Sequence, residues 1–150
     1  MAISNHDAIE LLNGLIETCK DGDAGFRTCA DDVNSPQLKL FFQNRAQSCA
    51  SAAQDLQQLV RTLGGVPGTH GDLTGFVHRR WVDIKSLLTS HDEAAVLEEC
   101  ERGEESAVGN YRYALEKDLP PDVRAVVERQ YHGTLHNYEQ VKRLREQYRP

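Results

Sequence analysis

Residues 97–115, LEECERGEESAVGNYRYAL, combine strong helix formers with a three-four apolar stripe of Leu97, Cys100, Glu104, Ala107, Tyr111 and Ala114. One position breaks the stripe. Glu104 puts a carboxylate on the side of the helix that must be buried, which is costly unless a cation, a metal or several donors meet it. Any fold for this chain therefore has to bring a partner to Glu104.

The remaining segments supply helices of matching length. Ser4 or Asn5 can cap a first helix whose stripe reads Ile9, Leu12, Ile16, Cys19, Asp23, Phe26, Ala30 and Val33. Ser35-Pro36 is a start signal for a second helix, which ends at Gly64-Gly65 and carries Leu38, Phe42, Arg45, Cys49, Ala52, Leu56, Leu59 and Leu63 on one side. A glycine- and proline-rich stretch, GGVPGTHGD, leads to residues 73–90, LTGFVHRRWVDIKSLLTS, which read as a short amphipathic crossover helix. Ser90 and Glu93 form a capping box for the acidic helix, and Pro120-Pro121 open a last helix with Val123, Val127, Gln130, Thr134, Asn137, Val141, Leu144 and Tyr148 inward. These are the parts of an all-α, antiparallel four-helix bundle, one domain over residues 1–150, with the crossover between two helical hairpins.

Counting from the tight turns sets the heights. Asp23 lies about ten residues before the first turn and Arg45 about ten after it; Glu104 precedes the second turn by about as much as Gln130 and Thr134 follow it. A polar layer of Asp23, Arg45, Glu104, Gln130 and Thr134, with Ser48 and Asn137 adjacent, is expected midway up the bundle. Arg45 is permanently charged and can fork onto both carboxylates, so a closed triad of Asp23, Arg45 and Glu104 is one reading. A metal is the other. A carboxylate-bridged iron or manganese pair would use Asp23 and Glu104, with Glu101, His132 and His136 as further ligands, but no Glu-x-x-His stands on the second or last helix. A third reading has Arg45 and the layer lining a small-molecule or anion site, which needs a cavity there.

Composition bounds the rest. Seventeen basic against 23 acidic residues give a net charge of −6, which disfavours nucleic acid as a partner. No window is long and apolar enough for a bilayer, and the amino terminus lacks a signal-peptide pattern, so a cytoplasmic protein is expected. Cys19, Cys29, Cys49 and Cys100 show no CxxC pair and are read as reduced, mostly buried thiols. The basic triplet His78-Arg79-Arg80 could contact an anion, and Leu40, Phe41 and Trp81 could lie outside the main stripe and support self-association. No catalytic residue is identified.

Four motifs, LNGLIETCKDGDAGF, HRRWVDIKSLL, ECERGEESAVGNYRYAL and QYHGTLHNYEQVKRLR, resemble a bacterial family of ferritin-like four-helix-bundle proteins of unknown function, over essentially the whole chain. The resemblance implies a ferritin-like fold and no established activity. Asp23 and Glu104 would stand at ferritin-type carboxylate positions, whereas Arg45 or Ser48 and Gln130 or Gly133 depart from the Glu and His positions of the other two helices. The resulting expectation is a non-catalytic structural or stress-associated protein that needs no cofactor. Its degenerate di-metal site would be replaced by ion pairing, and it would act through self-association or another protein. An iron- or manganese-binding oxidoreductase or metal-handling protein is the alternative.

Overall fold

A computed structural model describes residues 2–68, 76, 81 and 93–148. Four helices, α1 (Asn5–Asp32), α2 (Pro36–Thr62), α3 (Glu93–Leu115) and α4 (Pro121–Gln147), account for nearly all of them, and no strand occurs among the described residues. The crossover helix expected over 73–90, its basic triplet and Ser90 of the expected capping box lie outside the described residues, apart from Phe76 and Trp81.

Local chemistry sets the helix ends. The Ser4 hydroxyl accepts from the Asp7 N–H at 3.1 Å, and the Ser35 hydroxyl accepts from the Leu38 N–H at 3.3 Å with Pro36 just inside α2. At the far end of α2, Gly64 takes a φ of 87°, which lets the N–H groups of Gly64 and Gly65 return to the carbonyls of Arg61 and Val60. Arg124, one turn into α4, donates to the carbonyls of Leu115 and Lys117 and so satisfies the exposed end of α3.

Two apolar clusters show how the helices run. One joins Leu11, Leu12, Leu15 and Ile16 of early α1 to Leu56 and Val60 of late α2, Tyr111 and Ala114 of late α3, and Val123 and Val127 of early α4. The other joins Phe26 and Cys29 of late α1 to Leu38 and Phe42 of early α2, Val96 and Leu97 of early α3, and Val141 of late α4. Hence α2 and α3 run parallel along the length of the bundle. Helices of 27 or 28 residues at 1.5 Å per residue make that length about 40 Å.

The expected stripes hold with a small drift. On α2 burial passes from Leu38, Phe42 and Arg45 to Ala53, Leu56 and Val60, leaving Ala52, Leu59 and Leu63 half-buried. A straight helix with 3.6 residues per turn slips against a 3.5-residue pattern in just this sense. On α4 only Val123, Val127 and Val141 are buried, so the helix is packed near both ends and loosely through its middle.

Trp81, one of the residues that could lie outside the main stripe, is half-buried. Its ring lies against Phe26, edge to face with centroids 5.0 Å apart, and fits where Gly25 of α1 and Gly103 of α3 leave room. A Cβ on Gly25 would stand 2.4 Å from the indole, and one on Gly103 would stand 2.7 Å away. Leu40 is exposed as expected, whereas Phe41 packs partly against the second cluster. No described helix is long and apolar enough to cross a membrane.

Gly25→Ala should therefore lower stability by about 1–3 kcal/mol in urea unfolding, the usual cost of overpacking a filled site. Gly109, where a Cβ would meet nothing within 4 Å, is the control: Gly109→Ala should gain up to about 1 kcal/mol from helix propensity. Equal effects of the two substitutions would remove Trp81 from its place between α1 and α3.

Candidate functional site

The facing stripes bring Arg45 of α2 to Glu104 of α3 midway between the two apolar clusters. Arg45 Nη2 donates to Glu104 Oε1 at 2.8 Å, with side chains only 7% and 4% exposed. The guanidinium also lies 5.2 Å from the centroid of the Phe26 ring, a cation–π contact on its apolar side, and points Nη2 toward Cys49 Sγ at 3.9 Å. Satisfaction is incomplete: Arg45 Nε and Glu104 Oε2 are buried and make no hydrogen bond among the described residues.

Burial decides the protonation behaviour of the site. It pushes the Glu104 carboxyl above its ordinary range, the loss of hydration outweighing the attraction of Arg45. Burial likewise drives the Cys19 thiol up to about 11 and the Cys49 thiol up to about 12, so both are neutral near pH 7. Tyr111 is raised for the same reason, and its hydroxyl donates to Gln130 Oε1 at 2.7 Å while lying 3.2 Å from Cys19 Sγ. Gln130 in turn donates from Nε2 to the Ala52 carbonyl at 3.3 Å, which ties α4 to both α3 and α2.

The triad does not close. Asp23 is half-buried and accepts from its own helix neighbour Arg27 at 2.6 Å. Three residues, about 300° of helix rotation, separate Asp23 from the fully buried Phe26, so the carboxylate stands about 60° round the axis from that ring, nearer the rim, where a solvated i, i+4 partner is available. Arg45 thus meets one carboxylate rather than two. The other expected members stand around a cavity of about 390 Å³ lined by Arg45, Glu104, Gln130, Thr134 and Asn137 together with Ser48, which is otherwise exposed. The loose middle of α4 creates this space.

The candidate metal ligands do not converge either. Glu101 pairs with Arg145 at 2.8 Å, His132 and His136 are exposed on α4, Glu104 is engaged by Arg45, and Asp23 by Arg27. Among the described residues no three His, Cys, Asp or Glu side chains form a group able to hold a metal ion. The donor set does not fit a di-iron or di-manganese centre, which needs several carboxylates and two imidazoles facing one point.

Cys19, Cys29 and Cys100 are buried free thiols, and Cys49 is half-buried. Cys29 approaches Cys100, Sγ to Sγ at 3.8 Å; Cys100 falls on the inward stripe of α3, whereas Cys29 stands beside the expected stripe of α1 rather than on it. The cavity and the seat of Trp81 escaped sequence reasoning; the glycines at 25 and 103 were the available signal.

Fold and site together define an all-helical four-helix bundle with a buried Arg–Glu pair beside a mid-level cavity. The chain belongs to the family described as a domain of unknown function, DUF2383, whose match spans residues 7–117. That span takes in α1 to α3 and both ionic partners, short of the whole-chain resemblance expected from the motifs. No curated protein matches the chain.

The raised Glu104 carboxyl has a definite consequence for stability. The native state binds this proton more tightly than the unfolded chain, so the associated stability is present below the unfolded value of about 4.3 and is lost as pH rises through the higher native value. Relative to Glu104→Gln, the wild-type chain should lose stability with rising pH across that window in urea titrations. A difference that stays flat, or that grows in favour of wild type, contradicts the assignment.

Proposed function

We propose that this chain is a ferritin-like bundle that works without a metal centre, at a level where bundles of this architecture carry one. The ferritin-like reading is supported by the parallel course of α2 and α3, which calls for one long crossover between two hairpins. At mid-height the helices of that architecture project carboxylates and histidines inward; here the corresponding positions hold Arg45, Glu104, Gln130 and Thr134.

The single observation that carries the reading is the Arg45–Glu104 pair. A guanidinium 2.8 Å from the carboxylate occupies the charge that a metal would otherwise neutralise, and its own permanent charge repels a divalent cation. The protein is then a non-catalytic binding or scaffold component, acting through association with a second copy, another protein or a small ligand rather than through metal-centred redox chemistry.

Elemental analysis of protein purified without chelator tests this directly. Less than about a tenth of an equivalent of iron or manganese, unchanged on Glu104→Gln, is expected for a site with too few donors. Near-stoichiometric metal that is lost on Glu104→Gln would restore the metal-handling alternative.

A further inference from the structure

The mid-bundle cavity goes beyond that reading, because a scaffold needs no internal space. The cavity is half open to solvent between α2 and α4, with a volume of about 390 Å³. Cavities of this size fall within the range of small-molecule sites.

Three features of the wall define what would fit. First, the ionic groups cancel: Arg45 is paired with Glu104 inside, and Arg129 lies 3.7 Å from Asp55 at the exposed mouth. Burial keeps the Cys19 and Cys49 thiols neutral as well. A ligand with a net charge would lose its hydration and find no free countercharge, whereas an uncharged one meets a balanced field. Second, the wall is polar on one side, where Ser48, Thr134 and Asn137 stand beside the Arg45–Glu104 pair. Thr134 and Asn137 add groups that both donate and accept. Third, Ala52, Ala107 and Trp81 contribute an apolar side to the same space.

We infer that this cavity is a binding site for a small uncharged molecule that joins an amide or hydroxyl head to a flat apolar body. The head belongs at Thr134 and Asn137 and the body against Trp81. Access runs past Gly133 of α4, where a Cβ would meet nothing within 4 Å.

Benzamide, benzoate and benzamidine share one shape of about nine non-hydrogen atoms and differ in charge, so they isolate the electrostatic claim. Trp81 is the one tryptophan of the chain, and its indole N–H is a single reporter in a nitrogen-15 correlation spectrum. Benzamide should shift that signal saturably with a Kd of about 10 mM or tighter, as expected of a ligand this small. Benzoate and benzamidine should bind at least about tenfold more weakly. Gly133→Leu, which fills the mouth without a clash at Cβ, should abolish the benzamide response while keeping the melting temperature. The inference is overturned if a charged isostere binds as tightly as benzamide, if none of the three shifts the indole at ~50 mM, or if Gly133→Leu leaves benzamide binding intact. Each of these readouts is independent of metal content.

Discussion

A buried ion pair organises this bundle. Taking Arg45 and Glu104 out of water costs several kcal/mol for each ion, and their mutual attraction returns that cost only in the paired geometry. Most of the remaining interior is apolar, with Asn13, Glu99 and Asn110 the other buried polar side chains among the described residues, and an apolar stretch would accept a sliding of one helix against another with modest loss. The polar level does not, because a shift of one turn would leave a guanidinium and a carboxylate facing hydrocarbon from opposite helices. The pair therefore sets the axial register of α2 against α3, the two helices that no short loop connects.

That constraint accounts for features further away. The Phe26 ring closes the apolar side of the guanidinium, and Trp81 packs on Phe26 from the crossover segment, with glycines at 25 and 103 making room. Opposite, α4 approaches only at its ends, so its polar middle faces the pair across open space and is held by the relay from Cys19 through Tyr111 and Gln130 to the Ala52 carbonyl. Trp81 and the polar middle of α4 thus line one pocket beside the ion pair. Burial holds the Glu104 carboxyl above its ordinary range even with Arg45 beside it. Selection for stability alone would favour an apolar replacement, so specificity of packing or use of the pocket is the reason to look for.

Much of this was written in the stripes. Periodicity and caps located α1, α2, α3 and α4, and the interruption of the stripes by Arg45 and Glu104 pointed to their meeting, because a charge at a core position requires an opposite one. Asp23 misled for a physical reason: a 3.5-residue pattern places it inward, while the true 3.6-residue helix turns it toward Arg27 at the rim. The cavity was beyond reach of pattern reading, since it depends on how far the middle of α4 stands from α2, and spacing of that kind is set by three-dimensional packing. The seat of Trp81 is likewise not legible in the pattern, because the two glycines that make room for it, on separate helices, carry no hydropathy signal.

The dependence of the two charges on each other is measurable by a double-mutant cycle in urea unfolding with Arg45→Met, Glu104→Leu and the pair of substitutions together. Each single replacement strands the remaining charge and should cost about 3–5 kcal/mol, whereas the double replacement should cost far less than the sum and can approach wild type. Additive losses, or single variants as stable as wild type, would mean that the two side chains do not meet in the core and that something else sets the register of the bundle.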